Sequence, residues 1–315
     1  TYAELLGAFL AYKEHEVAQG RISSRTLHNY EYHLNEFGKM IGGGRRIAAD
    51  IGPRDFTIVR RNFDRLSKMT IESNMAYITA MFKWAEGMEL IGKFRPGPEW
   101  RRPMRREIQA ERLEFSKTFN PSEFAKLWTC APDREKIWLG LGVCAGFTNS
   151  DIAHLPIEVI DYENNRIDFA RRKTGKVRRI AVLPPYIMSL MRDYKRPRPV
   201  DEKFGGLFFI GRDGIPLNYA NGRQNTNSVS VAFNRLQQAA GVVKPRRGFT
   251  GMRTTFFNLC PAEYTFERSI IMGRARGTID NDHYLETMPI ERIRACIAHV
   301  WSSISSELGD ETRTA

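Results

Sequence analysis

Between Lys93 and Arg106 the chain carries three prolines (Pro96, Pro98, Pro103) and six cations (Lys93, Arg95, Arg101, Arg102, Arg105, Arg106) around one tryptophan, Trp100. No regular helix runs through such a stretch, because proline lacks the amide donor and its ring collides with the preceding turn. The chain is thereby divided into two parts that each need a core of their own, and 315 residues suffice for two. We set the boundaries at 1–93 for a first domain, 94–118 for a basic linker, 119–305 for a second domain and 306–315 for a polar tail. Prolines stiffen the linker, and its arginines suit it to lie along a phosphate backbone.

The first part reads as all-helical. Tyr2, Leu5, Leu6, Phe9, Leu10 and Tyr12 recur at helical spacing up to a stop at Gly20. Ser23 to Thr26 offers a cap for a second helix, which ends at Gly42-Gly43-Gly44. A third helix follows Gly52-Pro53, and a fourth starts near Thr70 and carries Met75, Ile78, Met81, Phe82 and Trp84. Arg25, Arg45, Arg46, Arg54, Arg60 and Arg61 give this bundle a cationic side. Arg60-Arg61 reads equally well as a solvated face or as a phosphate contact.

In the second part, helices are expected over 124–130 and 134–145, then a turn at Gly146-Phe147-Thr148-Asn149-Ser150 that caps a helix from Asp151. Val159–Asp161, Arg166–Ala170 and Arg178–Val182 alternate as three antiparallel strands, joined by Asn164-Asn165 and by Lys173-Thr174-Gly175-Lys176. Helix is expected again from Pro184 and over 227–240, with a short extended segment at 205–210 between them. The fold class is therefore mainly α with a small antiparallel β-sheet.

A net charge of +12 and a sequence pI near 9.7 point to a polyanionic partner. The longest uncharged apolar run, Ile137 to Phe147, is too short to cross a bilayer, and no signal peptide stands at Thr1. Cys130, Cys144, Cys260 and Cys296 lack CxxC spacing and read as buried free thiols of a reducing cytoplasm, not zinc ligands or disulfides; no metal is expected, and no cofactor.

The chemistry concentrates between Lys244 and Glu286. Arg246 and Arg247 precede a short apolar helix with Arg253 near its start, where a guanidinium and free backbone amides can hold a phosphate oxygen. A second helix breaks at Met272-Gly273-Arg274, and the stretch runs on to Asp282-His283-Tyr284. A tyrosine returned to that phosphate is a competent nucleophile. Taken singly, Arg253 also reads as a solvated arginine and Tyr284 as a half-buried core residue.

The order of these parts resembles that of the tyrosine recombinases, over about residues 3–300: the basic helical domain, CAGFTNSDIAHL, RRKTGKVRRIAVLP, TGMRTTF and IMGRARGTIDNDHY. The resemblance, to a phage-type or integron-like integrase of a mobile element, implies a helical core-binding domain that clamps DNA and a catalytic domain. It implies site-specific recombination of double-stranded DNA through a 3′-phosphotyrosine, self-association on DNA as dimer to tetramer, and no membrane or small-molecule substrate. Tyr284 matches the nucleophile, Arg253 the second arginine, Lys173 the hairpin lysine that protonates the leaving oxygen, and Asp151 the acid that supports the first arginine. Three positions depart: Thr148 stands for the first arginine, Thr250 for a histidine, and Arg274 for a second histidine. His283 is near enough in sequence to enter the site. Arg95, Arg101, Arg102, Arg105, Arg106, Arg171, Arg172, Arg178, Arg179, Arg246 and Arg247 are the expected DNA contacts, and one of the hairpin arginines 171, 172, 178 and 179, or Arg246 or Arg247, is a candidate to replace the charge missing at 148. Two readings stay open, an active recombinase and a DNA-binding protein on the same scaffold that no longer cuts. An RNA-binding role has no aromatic RNP-like strand or GxxG clamp behind it.

Overall fold

The caps that the sequence offers are used. In the computed structural model, which describes residues 1–170, 178–221, 224–273 and 290–309, α1 spans Tyr2–Ala18 and α2 spans Ser24–Met40. The Ser23 hydroxyl accepts from the Thr26 amide at 3.2 Å to start α2. Helix α3 (Pro53–Asn62) has proline in its first turn, where the amides lack intrahelical acceptors anyway, and α4 (Lys68–Gly87) follows a Ser67 cap. The four helices close on Phe9, Phe37, Phe56, Met75 and Phe82, none more than 1% exposed.

Residues 94–115, within the stretch assigned above to a basic linker, pack on the helices of the first unit. Trp100 packs edge-on against Phe56, ring centroids 5.0 Å apart, and donates its indole N–H to the Thr79 hydroxyl at 3.1 Å. Phe94 stacks on Phe82, and Glu99 pairs with Arg61. Helix α5 (Arg105–Leu113) then buries Ile108, and its Glu111 accepts from the Lys68 amide at the start of α4. The prolines do bar a helix over 96–103, but the rings between them find apolar surface on the bundle. Beyond Pro103 nothing opposes a helix. The chain accordingly divides into two units, Thr1–Phe115 and Ser116–Ala315.

In the second unit α6 (Pro121–Cys130) leads to α7 (Asp133–Ala145), whose residues from Ile137 onward are all buried, as a helix apolar on every side must be. Gly142 of α7 admits the next layer: a Cβ there would stand 2.8 Å from the Met252 Cβ. After α8 (Asn149–Ala153) come β1 (Ile160–Asp161), β2 (Arg166–Ala170) and β3 (Arg178–Val182), an antiparallel sheet in that order, with Ile167 opposite Ala181 and Phe169 opposite Arg179. Helix α9 (Pro185–Asp193) follows. A hairpin of β4 (Asn218–Asn221) and β5 (Gln224–Asn227) then leads into α10 (Ser228–Ala239). Helices α11 (Thr250–Leu259), α12 (Thr265–Ile271) and α13 (Ile290–Ile304) complete the unit, with α12 and α13 packed on β3. The fold is mainly α with a small antiparallel sheet.

Among the described residues no helix is long and apolar enough to cross a membrane. All four cysteines are free; Cys144, Cys260 and Cys296 are buried as expected, whereas Cys130, in the last turn of α6, is exposed. Cys260 and Cys296 bring their sulfurs within 3.2 Å where α11 ends against α13.

Candidate active site

The site grows from the end of α7. Gly146 takes a left-handed conformation (φ +60°) and stops the helix, so that Phe147 turns inward and Thr148 caps α8. The Thr148 amide and hydroxyl both donate to Asp151 Oδ2 at 2.8 Å, closing a capping box. The residue standing where a first arginine was sought is thus an ordinary helix cap.

Two arginines converge on this turn. Arg179 of β3 has no exposed surface. Its Nε donates to the Ile271 carbonyl at 2.8 Å, its Nη2 to the Ala145 and Gly146 carbonyls at 3.1 Å each, and its Nη1 lies 3.3 Å from Asp151 Oδ2. The guanidinium rests over the Phe147 ring at 4.3 Å. Arg253, in the first turn of α11 and 7% exposed, donates to the Gly146 carbonyl at 2.7 Å and to the Met272 carbonyl at 2.9 Å. The pair therefore holds one shared oxygen at the end of α7 and two successive carbonyls, of residues 271 and 272, at the end of α12. From there the chain runs through Gly273 toward Tyr284.

Of the expected site residues, the structure brings together Thr148, Asp151 and Arg253. Thr250 is the exposed first residue of α11. Lys173, Arg274, His283 and Tyr284, with Arg171 and Arg172, lie outside the described residues. Arg178 opens β3. Arg95, Arg101, Arg102, Arg105, Arg106 and Arg246 are exposed.

Two of the expected DNA contacts are corrected. Arg179 faces inward because β3 is covered on both faces: Arg179, Ile180, Ala181 and Val182 are all buried. Arg247, 3% exposed, donates to the Thr118 carbonyl at 3.1 Å and Glu123 at 2.8 Å, and stacks over Phe119 at 4.1 Å. Lys244 reaches the same Glu123 at 2.7 Å. Burial pushes the Glu123 carboxyl up, but the hydrogen bonds from Arg247 and Lys244 outweigh it and bring the pKa down to about 2. Arg247 and Lys244 are thus engaged by a carboxylate of α6. Sequence reasoning also missed the partners of the buried arginines, which are mostly backbone carbonyls and leave no mark in side-chain pattern.

Among the described residues no three histidine, cysteine or acidic side chains gather as metal ligands. The sequence matches no protein-family model and no curated protein. Solved structures do match. A lambda integrase (residues 75–356) dimer bound to a COC′ core site aligns with TM-score 0.59 at 15% identity, covering 88% of this chain and 94% of that one. The Tn1549 transposon integrase in complex with a circular intermediate DNA aligns with TM-score 0.57 at 15% identity, over 91% of this chain and 99% of its own. This chain has the tyrosine recombinase fold. A lambda integrase tetramer bound to a Holliday junction shares that recombinase fold at TM-score 0.59 and 16% identity, over 87% and 78% of the two chains.

Proposed function

We propose that this chain is a site-specific DNA recombinase that cuts and rejoins strands by transesterification. Tyr284 is the assigned nucleophile: its oxygen gives up the phenolic proton to solvent and attacks a backbone phosphorus, a 3′-phosphotyrosine forms as the bond to the 5′ oxygen breaks, and that oxygen leaves with a proton that Lys173 supplies. Attack by a 5′ hydroxyl reverses the steps, so bond energy is conserved and no nucleotide cofactor is consumed. The observation that carries this reading is Arg253. It is a cation held rigidly by two backbone carbonyls where α7, α11 and α12 meet, on a fold whose solved neighbours are integrases bound to DNA. A preorganised guanidinium there is suited to charge developing on a nonbridging phosphate oxygen. Arg274 and His283 are further assigned to the site on the strength of the sequence resemblance. The partner is duplex DNA, bound by both units and by the exposed arginines 95, 101, 102, 105 and 106, with copies of the chain associating on it as in the neighbours' dimer and tetramer. In the cell the protein is then DNA-associated.

A second reading, a DNA-binding protein that does not cut, is favoured by one observation: Thr148 spends its hydroxyl on Asp151 and offers no charge. Incubation with nicked duplexes from the DNA flanking the gene separates the two. The recombinase reading expects a covalent protein–DNA adduct that Tyr284→Phe abolishes while DNA affinity holds. Adduct that persists in this variant would assign the attack to another residue.

A further inference from the structure

We infer that Arg179 is a positioning residue of this site, holding from beneath the turn that Thr148 caps, so that the turn forms without a charge at position 148. The consequence for catalysis rests on the strand-transfer reading above; the positioning itself rests on geometry alone.

A guanidinium offers five donors in a fixed plane. In Arg179 they reach three helix ends at once: the carbonyl ends of α7 and α12, and the start of α8 through Asp151. Each match is electrostatically favourable, with the cation at the negative ends of two helices and the carboxylate at the positive end of the third. Arg253 depends on the same construction, since it donates to the Gly146 carbonyl that Arg179 also holds, and to the Met272 carbonyl next to the Ile271 carbonyl held by Arg179. Loosening Arg179 therefore releases both anchors of Arg253 together, and with them the point from which the chain departs toward Tyr284. Lysine cannot substitute. Its donors radiate from a single atom and cannot span carbonyls on two helices as a planar fork does.

The test compares the full chain with Arg179→Lys and Arg179→Met, the lysine variant retaining the charge in case methionine does not fold. Native-state hydrogen exchange should quicken at least about tenfold in both residues 146–152 and residues 270–273, while Thr1–Phe115 is unchanged. Quickening in one segment only, or in neither, would overturn the positioning role. On the nicked duplex, the single-turnover rate of adduct formation should fall by about 100-fold, the order expected when a reacting group is displaced by about an ångström. DNA affinity should stay within about twofold, a split that a general loss of structure would not produce. Guanidinium ion added to Arg179→Ala should restore part of the rate. A folded variant that cuts at the wild-type rate would refute the inference. A wild type that forms no adduct would instead refute the strand-transfer reading and leave the exchange measurement to decide on Arg179.

Discussion

The Gly146 carbonyl accepts from Arg179 and Arg253 because the residue bends into the left-handed region as α7 ends. Alanine at this position meets a strain of about 1–2 kcal/mol, and its methyl would stand 3.3 Å from Phe256 Cδ1. We expect Gly146→Ala to lower the melting temperature by several degrees and to slow adduct formation more than it weakens DNA binding. Thermal denaturation beside the nicked-duplex assay checks this, and an unchanged melting temperature would contradict it. Glu123 supplies a pH dependence. Its folded pKa of about 2 lies below the ordinary 4.5, so the stability it adds is complete above pH 4.5 and is lost as pH falls toward 2. Thermal melts between pH 5 and 2 should fall less steeply for Glu123→Gln than for wild type. Parallel slopes would mean that Arg247 and Lys244 gain nothing from the charge.

At the level of elements, the segment carrying Tyr284 is bounded by α12 and α13, and an ion pair ties those helices together. Glu267, 2% exposed, accepts from Arg292 Nε, while Arg292 Nη2 donates to the Glu263 carbonyl at 3.2 Å. Removing the arginine strands a buried carboxylate. Because the Arg292 side chain is itself 52% exposed, we expect Arg292→Ala to lower stability measurably but well short of the loss of a fully buried pair. Denaturant unfolding reads that loss, and a cost near zero would place the pair with ordinary surface ion pairs. Much of this level was legible in the sequence. Alternation in Arg166–Ala170 and Arg178–Val182 gave strands with those bounds, and the cap at Ser23 started α2. The β4–β5 hairpin was not legible, because Asn, Gln and Thr carry no apolar alternation. Helix α5 was hidden behind prolines that stop short of it. Arg179 misled for a third reason: alternation gives a strand two faces but does not say that α12 and α13 cover β3. Arg253 and Asp151 were found through their motifs, whereas the carbonyls that orient both arginines belong to residues no motif marks.

For the whole molecule, the net charge of +12 is shared between the two units, and the first carries its part in exposed arginines. Arg60, Arg61 and Arg46 are engaged by Asp64, Glu99 and Asp55. Arg101, Arg102, Arg105 and Arg106 are exposed around the start of α5. If they lie on phosphates, replacing all four with alanine should lower the slope of log affinity against log salt by up to about 0.9 per lost contact. A slope equal to wild type would remove them from the interface. The central claim is that strand transfer runs on a site built around an inward arginine and needs no cation at 148. Thr148→Arg with Thr250→His tests it most directly, measured beside wild type as adduct yield on the nicked duplex. Arginine at 148 removes the cap hydroxyl and sets a second guanidinium beside Arg179, where Asp151 already accepts two hydrogen bonds from Thr148 and pairs with Arg179. The account predicts Tyr284-dependent adduct from the wild type and an equal or lower yield from the double variant. A wild type that binds its site tightly yet leaves no adduct, and gains one only with both replacements, would contradict it.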